Sequence, residues 1–283
     1  MKYLIVLLFS LNVLSQSFLP VSNGEFIQHS VLSISYSEKH EQAEWVYYES
    51  SSDLVYGSSV RQNDFRADAK VATGSAFLAD YRGSGYDRGH LAPAQDMKSS
   101  DLVMSESFLL SNISPQTASF NRGGKWRQLE DAVHRWGVDD IIVVTGPVFK
   151  DNLGVIGANS VTVPGYFYKV IYKPSTQSMI AFLLPHRTDS SSLESCAVSV
   201  DSLEILTEID FFPQLKDSIE DCLEGAVTLS DWDLKANHTY SKSSYSDAMF
   251  NQCKGIAKST GKRCRIRTEN ESGYCQYHGW QGE

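Results

Sequence analysis

GGKWRQLEDAVHRWGVDDIIVVTGPVF, residues 123–149, changes its hydrophobic period half way along. The first half carries Trp126, Leu129, Val133 and Trp136 at the spacing of one helical face, and Gly137 ends it. The second half, Asp139–Phe149, is a run of buried-strand type closing on Gly-Pro. Downstream, Tyr166–Tyr172 and Ser178–Leu184 are two β-rich runs separated by Pro174-Ser175-Thr176, which reads as a hairpin. Ser199–Asp210 then reads as a helix capped by Ser199 or Asp201, with Val200, Leu203, Leu206 and Ile209 on one face. Upstream, Phe26–Ser59 has strand character, and Val60–Asp96 is polar and Gly-rich, a loop with short strands. Strands and helices alternate without a repeated βαβ rhythm. The expectation is an α+β fold with a mixed central sheet rather than a doubly wound one.

The chain has 283 residues, enough for one large domain or two, and its 42% hydrophobic content is that of a globular protein. Met1-Lys2 and the apolar run Tyr3–Leu14 read as a signal peptide over residues 1–16, too short to span a bilayer. No other segment is apolar enough to span one. The expected location is therefore secreted or periplasmic, which permits disulfides. The formal charge of −9 is uneven: from Lys235 onward eight Lys/Arg face four Asp/Glu, so the acidic balance belongs to the body. An acidic body counts against simple nucleic-acid binding, which rests on Lys and Arg, but not against a local basic cleft.

Chemistry concentrates at Tyr86-Asp87-Arg88-Gly89-His90-Leu91-Ala92-Pro93, which follows the Gly-rich Arg82-Gly83-Ser84-Gly85. An imidazole takes up a proton near neutral pH, and a guanidinium beside it grips anionic oxygens in a fork, a pairing suited to a phosphate. Alone, the His reads as structural, Arg88 as a partner of Asp87, Asn121 as a helix N-cap and Glu130 as a solvent-facing helical residue. Together they make an ordered set: His90, then Ser111-Asn112-Ile113-Ser114-Pro115-Gln116, then Asn121, then Leu129-Glu130. Asn and Glu oxygens suit a hard, hydrated Mg²⁺. Asp87 reads as structural, His134 as a surface residue and His186 as structural.

This set, with Asp80–Tyr86 before it and Thr145-Gly146-Pro147-Val148-Phe149 after it, resembles the DNA/RNA non-specific endonucleases, the ββα-metal (His-Me finger) nucleases. The resemblance spans roughly Tyr36 to Leu223. It implies that His90 is the general base for an attacking water and Asn121 the ligand of Mg²⁺, for which Mn²⁺ substitutes. It further implies that Glu130 orients water on the metal, that Arg88 holds the phosphate and that Asn112 braces the His or the metal shell. An upstream Arg contacts phosphate in such enzymes; Arg61 is the better match here, with Arg66 the alternative. The implied substrates are DNA and RNA, cut to 5′-phosphate and 3′-hydroxyl ends. A phosphodiesterase of nucleotides or small diesters and a non-catalytic nucleic-acid-binding protein stay open, as do monomer and homodimer.

The expected organisation is a nuclease domain at 25–230, a polar Ser-rich linker at 231–250 and a small Cys/His module at 251–283. In that module Cys253, Cys264, Cys275 and His278 stand at intervals of ten, ten and two residues, a closed donor set for structural Zn²⁺. Disulfides are the alternative there. The remaining Cys196 and Cys222 form either one disulfide, the preferred reading, or two reduced thiols. The tail's Lys254, Lys258, Lys262, Arg263, Arg265 and Arg267 form either a grip on phosphate or a solvated face.

Overall fold

The computed structural model describes residues 18–187 and 191–234, with 251–252, 254–256 and 267–268 beyond them. The chain divides into two compact units, Met1–Lys235 and Ala236–Glu283. The first begins with strands β1 (Glu25–Gln28), β2 (Ser33–Ser37) and β3 (Gln42–Ser50), followed by short helices α1 (Ser52–Val55) and α2 (Leu78–Tyr81). Next come β4 (Asp87–His90), α3 (Asp101–Glu106), β5 (Ile113–Gln116), α4 (Ala118–Gly123) and α5 (Lys125–Trp136). Strands β6 (Ile141–Val148), β7 (Val155–Ile156), β8 (Val161–Thr162), β9 (Tyr166–Lys173), β10 (Ser178–Pro185) and β11 (Ala197–Val198) lead to α6 (Val200–Thr207) and α7 (Asp217–Glu224). In the second unit the described residues form one antiparallel pair, β12 (Asn251–Gln252) with β13 (Arg267–Thr268).

Seven strands make the central sheet in the order β1-β2-β3-β6-β9-β10-β11, and every pair in it is antiparallel. The fold is α+β, but the expected mixed sheet is corrected to an antiparallel one. Its strands follow one another by hairpins or by returns that reverse direction, so no crossover forces a parallel pair. The centre of the sheet is covered on both faces, which is why β6 reads as a continuous apolar run. The two-residue period divides each strand between two cores. Val46, Tyr48, Ile141, Val143, Phe167, Ile171, Ile180 and Phe182 face Trp126, Leu129, Ala132 and Val133 of α5. Trp45, Tyr47, Ile142, Val144, Tyr168, Val170, Tyr172 and Met179 face Val200 and Leu203 of α6 and Leu223 of α7.

The Tyr166–Lys173 and Ser178–Pro185 hairpin pairs in full register, from Lys173 with Ser178 to Tyr166 with Pro185. Ser199 caps α6 by accepting the Ser202 N–H. The expected bridge between Cys196 and Cys222 does not form: both are free thiols, Cys196 buried and Cys222 exposed. Cys196 belongs to the core on the α5 face, whereas α7, which bears Cys222, packs on the other, so the sheet separates them. The signal-peptide segment, Asn237–Ser246 of the linker and the four Zn²⁺ candidates Cys253, Cys264, Cys275 and His278 lie outside the described residues.

Candidate active site

Strands β4 and β5 pair antiparallel away from the main sheet, and helix α4 follows β5 after one residue. Arg88 and His90, two residues apart on β4, share a face and both meet Phe65: the Arg88 guanidinium lies 4.2 Å over its ring, and the His90 ring is 5.5 Å away. Phe108 closes the other side of His90, edge-on at 4.9 Å, and carries the Arg61 guanidinium 4.9 Å over its face. Between them Gly89 turns toward β5, where a Cβ would stand 2.1 Å from the fully buried Gln116 side chain. Any larger residue between Arg88 and His90 would have to displace Gln116.

His90 is 8% exposed, and its Nε2 is buried with no hydrogen-bond partner. Burial, reinforced by the charges of Arg61 and Arg88, holds its pKa down at about 3. Its neighbours Phe65, Arg61 and Arg88 line a cleft of about 480 Å³ with Arg82, Arg122, Asp87 and Asn121, and His90 itself lies behind that wall. Four guanidinium groups around one carboxylate make a local basic cleft in an acidic body. Arg66 is turned elsewhere: it pairs with Asp64 at 2.8 Å and donates to the Ser105 carbonyl at 3.0 Å. Of the two upstream arginines, Arg61 is the one in the cleft.

Asn121 is an interior residue of α4, not the cap of α5; the short helix ahead of α5 was hidden by Gly123-Gly124. Its amide nitrogen donates to Asp87 Oδ2 at 3.1 Å. A carboxylate only accepts, so this bond leaves the Asn121 carbonyl oxygen as the atom available to the cleft. Asp87 also receives both the Nε and the terminal nitrogen of Arg122, which holds its carboxyl below the usual carboxylate range. The residue that read as scaffold thus orients the amide of Asn121. A buried orphan nitrogen, a neutral oxygen donor and an open arginine-lined cleft fit a hydrated divalent cation with an anionic substrate.

Asn112 is fully buried and does not line the cleft. Its side chain accepts from Ala92 N at 3.0 Å and donates to the carbonyls of Ala92 at 2.9 Å and Ser107 at 2.8 Å. It pins the backbone that leaves His90. Glu130, on the inner face of α5, is 6% exposed rather than solvent-facing. Burial pushes its carboxyl up, and the Lys169 ammonium opposes that. Its charge is felt by Arg61 and Tyr48, although it does not line the cleft.

Lys169 escaped the sequence reading. It is fully buried, donates to the Leu91 carbonyl and to Thr145 Oγ1, each at 3.0 Å, and stands 4.4 Å over the Trp126 ring. A Lys in the interior of the otherwise apolar and aromatic run YFYKVIYK, unlike Lys173 at its end, was the available signal. His134 bonds the buried Asp96 at 2.6 Å, and Asp96 in turn accepts from the Tyr48 hydroxyl at 3.2 Å. His186 accepts from Thr117 N–H at 2.8 Å, so its Nδ1 carries the proton donated to the Pro164 carbonyl. It steadies the start of α4. Phe65, Phe108 and Arg122 were also missed, because nothing in their spacing ties them to His90.

An antiparallel α+β fold with a buried imidazole and a guanidinium-lined cleft defines a class of protein suited to an anionic ligand. Comparison with known proteins narrows this. The family model for DNA/RNA non-specific endonucleases matches residues 12–218, and the chain belongs to that family of hydrolytic nucleases. It is 34% identical over 227 residues to the mouse (Mus musculus) "Nuclease EXOG, mitochondrial", covering 72% of this chain and 61% of that one. It is 32% identical over 199 residues to the human (Homo sapiens) "Endonuclease G, mitochondrial", covering 64% and 67%. A chain in the crystal structure of the EndoG/EndoGI complex superposes with a TM-score of 0.63 at 30% identity, over 69% of this chain and 88% of that one. The chain thus spans about three fifths of the length of the EXOG relative. These relatives also overturn the expected secreted or periplasmic location: both named ones are mitochondrial proteins. No described helix is long and apolar enough to cross a membrane.

Proposed function

We propose that this chain is a metal-dependent endonuclease that hydrolyses the phosphodiester bonds of DNA and RNA with little sequence preference. One observation carries the reading: the Nε2 of His90 is buried, neutral and without a protein partner beside an arginine-lined cleft. A neutral imidazole so placed takes the proton of an attacking water. Arg88 and Arg61 hold the non-bridging phosphate oxygens, the part that every nucleic acid shares, so binding there carries little sequence information. Phe65 and Phe108 fix the two guanidinium planes. Asn121 would hold Mg²⁺, or Mn²⁺ in its place, through the side-chain oxygen that its bond to Asp87 leaves free, and Glu130 would act on the site through its charge, which Arg61 feels. When bound, the cation supplies charge that offsets the developing negative charge on the phosphate and on the leaving 3′ oxygen. Asn112 and Lys169 keep the backbone after His90 in place through Ala92 and Leu91.

The deciding experiment incubates the full-length protein with supercoiled plasmid and with RNA, with Mg²⁺ or with EDTA, beside a His90→Ala variant. Cleavage that requires Mg²⁺ and fails in the variant is expected. Equal cleavage by both proteins rules out His90 as the base. Turnover of bis(p-nitrophenyl) phosphate without plasmid cleavage points instead to a phosphodiesterase of small diesters.

A further inference from the structure

The segment from Asp201 to Glu224 holds eight Asp/Glu and a single Lys. It folds into α6 and α7, which pack against the sheet on the face opposite α5 and so on the far side from the His90 cleft. Where the two helices meet, one carboxylate oxygen from each of Asp201, Glu204 and Glu224 lies within 4.8 Å of the others. The three differ in setting: Asp201 is exposed, Glu204 half-buried and Glu224 buried. Glu224 is only 4% exposed, yet its Oε1 has no hydrogen-bond partner. An unpartnered carboxylate oxygen removed from water costs free energy unless something positive meets it. Among the described residues no ion pair to it is formed. Glu204 gives one oxygen to the Phe211 N–H, at 2.9 Å, which fixes its carboxylate beside the others.

We propose that Asp201, Glu204 and Glu224 form a second cation site, for Ca²⁺, separate from the nuclease cleft. The donors are all carboxylate oxygens, with no nitrogen or sulfur, which selects hard cations. Ca²⁺ accepts six to eight oxygens in irregular arrangements, while Mg²⁺ demands a near-octahedral shell and prefers to keep its water. Two carboxylates on α6 and one on α7 suit the looser ion, with solvent completing its shell on the Asp201 side. Burial, and then the repulsion of Glu204, Glu220 and Asp201, push Glu224 up, to about 8, so a cation enters by displacing its proton. A cation there relieves that repulsion and ties α7 to α6, closing the chain around the sheet.

The test is calorimetric titration of the metal-free, full-length protein with CaCl₂, with thermal unfolding followed in parallel. Wild type and the Asn121→Ala variant are expected to show the same saturable Ca²⁺ site, with a Kd on the order of 10⁻⁴ M, and a rise in Tm. Glu224→Gln is expected to weaken Ca²⁺ binding at least about tenfold, to lose the Tm rise and to keep Mg²⁺-dependent plasmid cleavage. If Glu224→Gln melts below metal-free wild type, Asp201→Asn, at an exposed position, carries the comparison instead. An unchanged Ca²⁺ response in the variant that carries the comparison, loss of the response in Asn121→Ala, or no Ca²⁺ binding by wild type overturns the proposal.

Discussion

Burial and two neighbouring arginines keep the His90 imidazole uncharged, and that has consequences for both catalysis and stability. Replacing it with Ala is expected to lower kcat by about 10²–10⁴-fold, the usual span for a positioned base, measurable by plasmid cleavage at saturating Mg²⁺. The unfolded chain titrates this His near ~6.5, whereas the fold holds it at about 3. Above that upper value both states are neutral and the group is without effect. As the pH falls below it, the unfolded chain takes up a proton that the native protein refuses, so stability declines. The Tm of His90→Ala should therefore fall less than that of wild type as the pH is lowered from about 7 to about 5. Asp87 acts one step away. Since it fixes the Asn121 amide, Asp87→Ala should raise the Mg²⁺ concentration for half-maximal activity by about 10–100-fold, as losing a partner of a metal ligand does. Saturating Mg²⁺ should restore more of the rate in that variant than in His90→Ala.

The β4–β5 pair works only if its two strands touch closely. Gly89→Ala drives a Cβ into the fully buried Gln116 side chain, which must shift to admit it. The expected cost is about 1–3 kcal/mol from overpacking, together with lost activity as His90 shifts. Because the clash is with one side chain, Gly89→Ala combined with Gln116→Ala should recover part of the loss of Tm, a non-additivity that contact predicts. Helix α5 depends on its inner stripe. Leu129 is fully buried against the sheet, so Leu129→Ala should cost about 2–5 kcal/mol in denaturant unfolding. Glu130, the next residue, would then lose its fixed position and activity would fall as well.

Over the whole molecule the charge is distributed against its expected use: the net charge is −9, yet four arginines meet at one cleft. Substrate binding should weaken with salt, and Arg61→Ala and Arg88→Ala should each reduce the slope of log KM against log salt by about 1. Arg66→Ala, whose guanidinium is engaged by Asp64 and Ser105, should leave that slope unchanged. Much of this was legible in the chain itself. Periodicity located α5, β6, the β9–β10 hairpin and α6, because local packing faces repeat at 3.6 or 2 residues wherever they lie in space. The ordered motif from Asp87 to Glu130 marked the family, because its letters and intervals are read along the chain whatever surrounds them in space. The motif preferred Arg61 over Arg66 without deciding between them, and the direction of the strands and the burial of Glu130 and Lys169 were not legible. Nor was the bond by which Asp87 aims Asn121, or the separation of Cys196 from Cys222 by the sheet. Each of these is a relation between residues distant in sequence, set by which core face and which strand edge they share. Sequence alone determined which chemical groups this protein carries and where α5, β6, the β9–β10 hairpin and α6 lie; the tertiary structure decided which of those groups are stripped of water and set against one another.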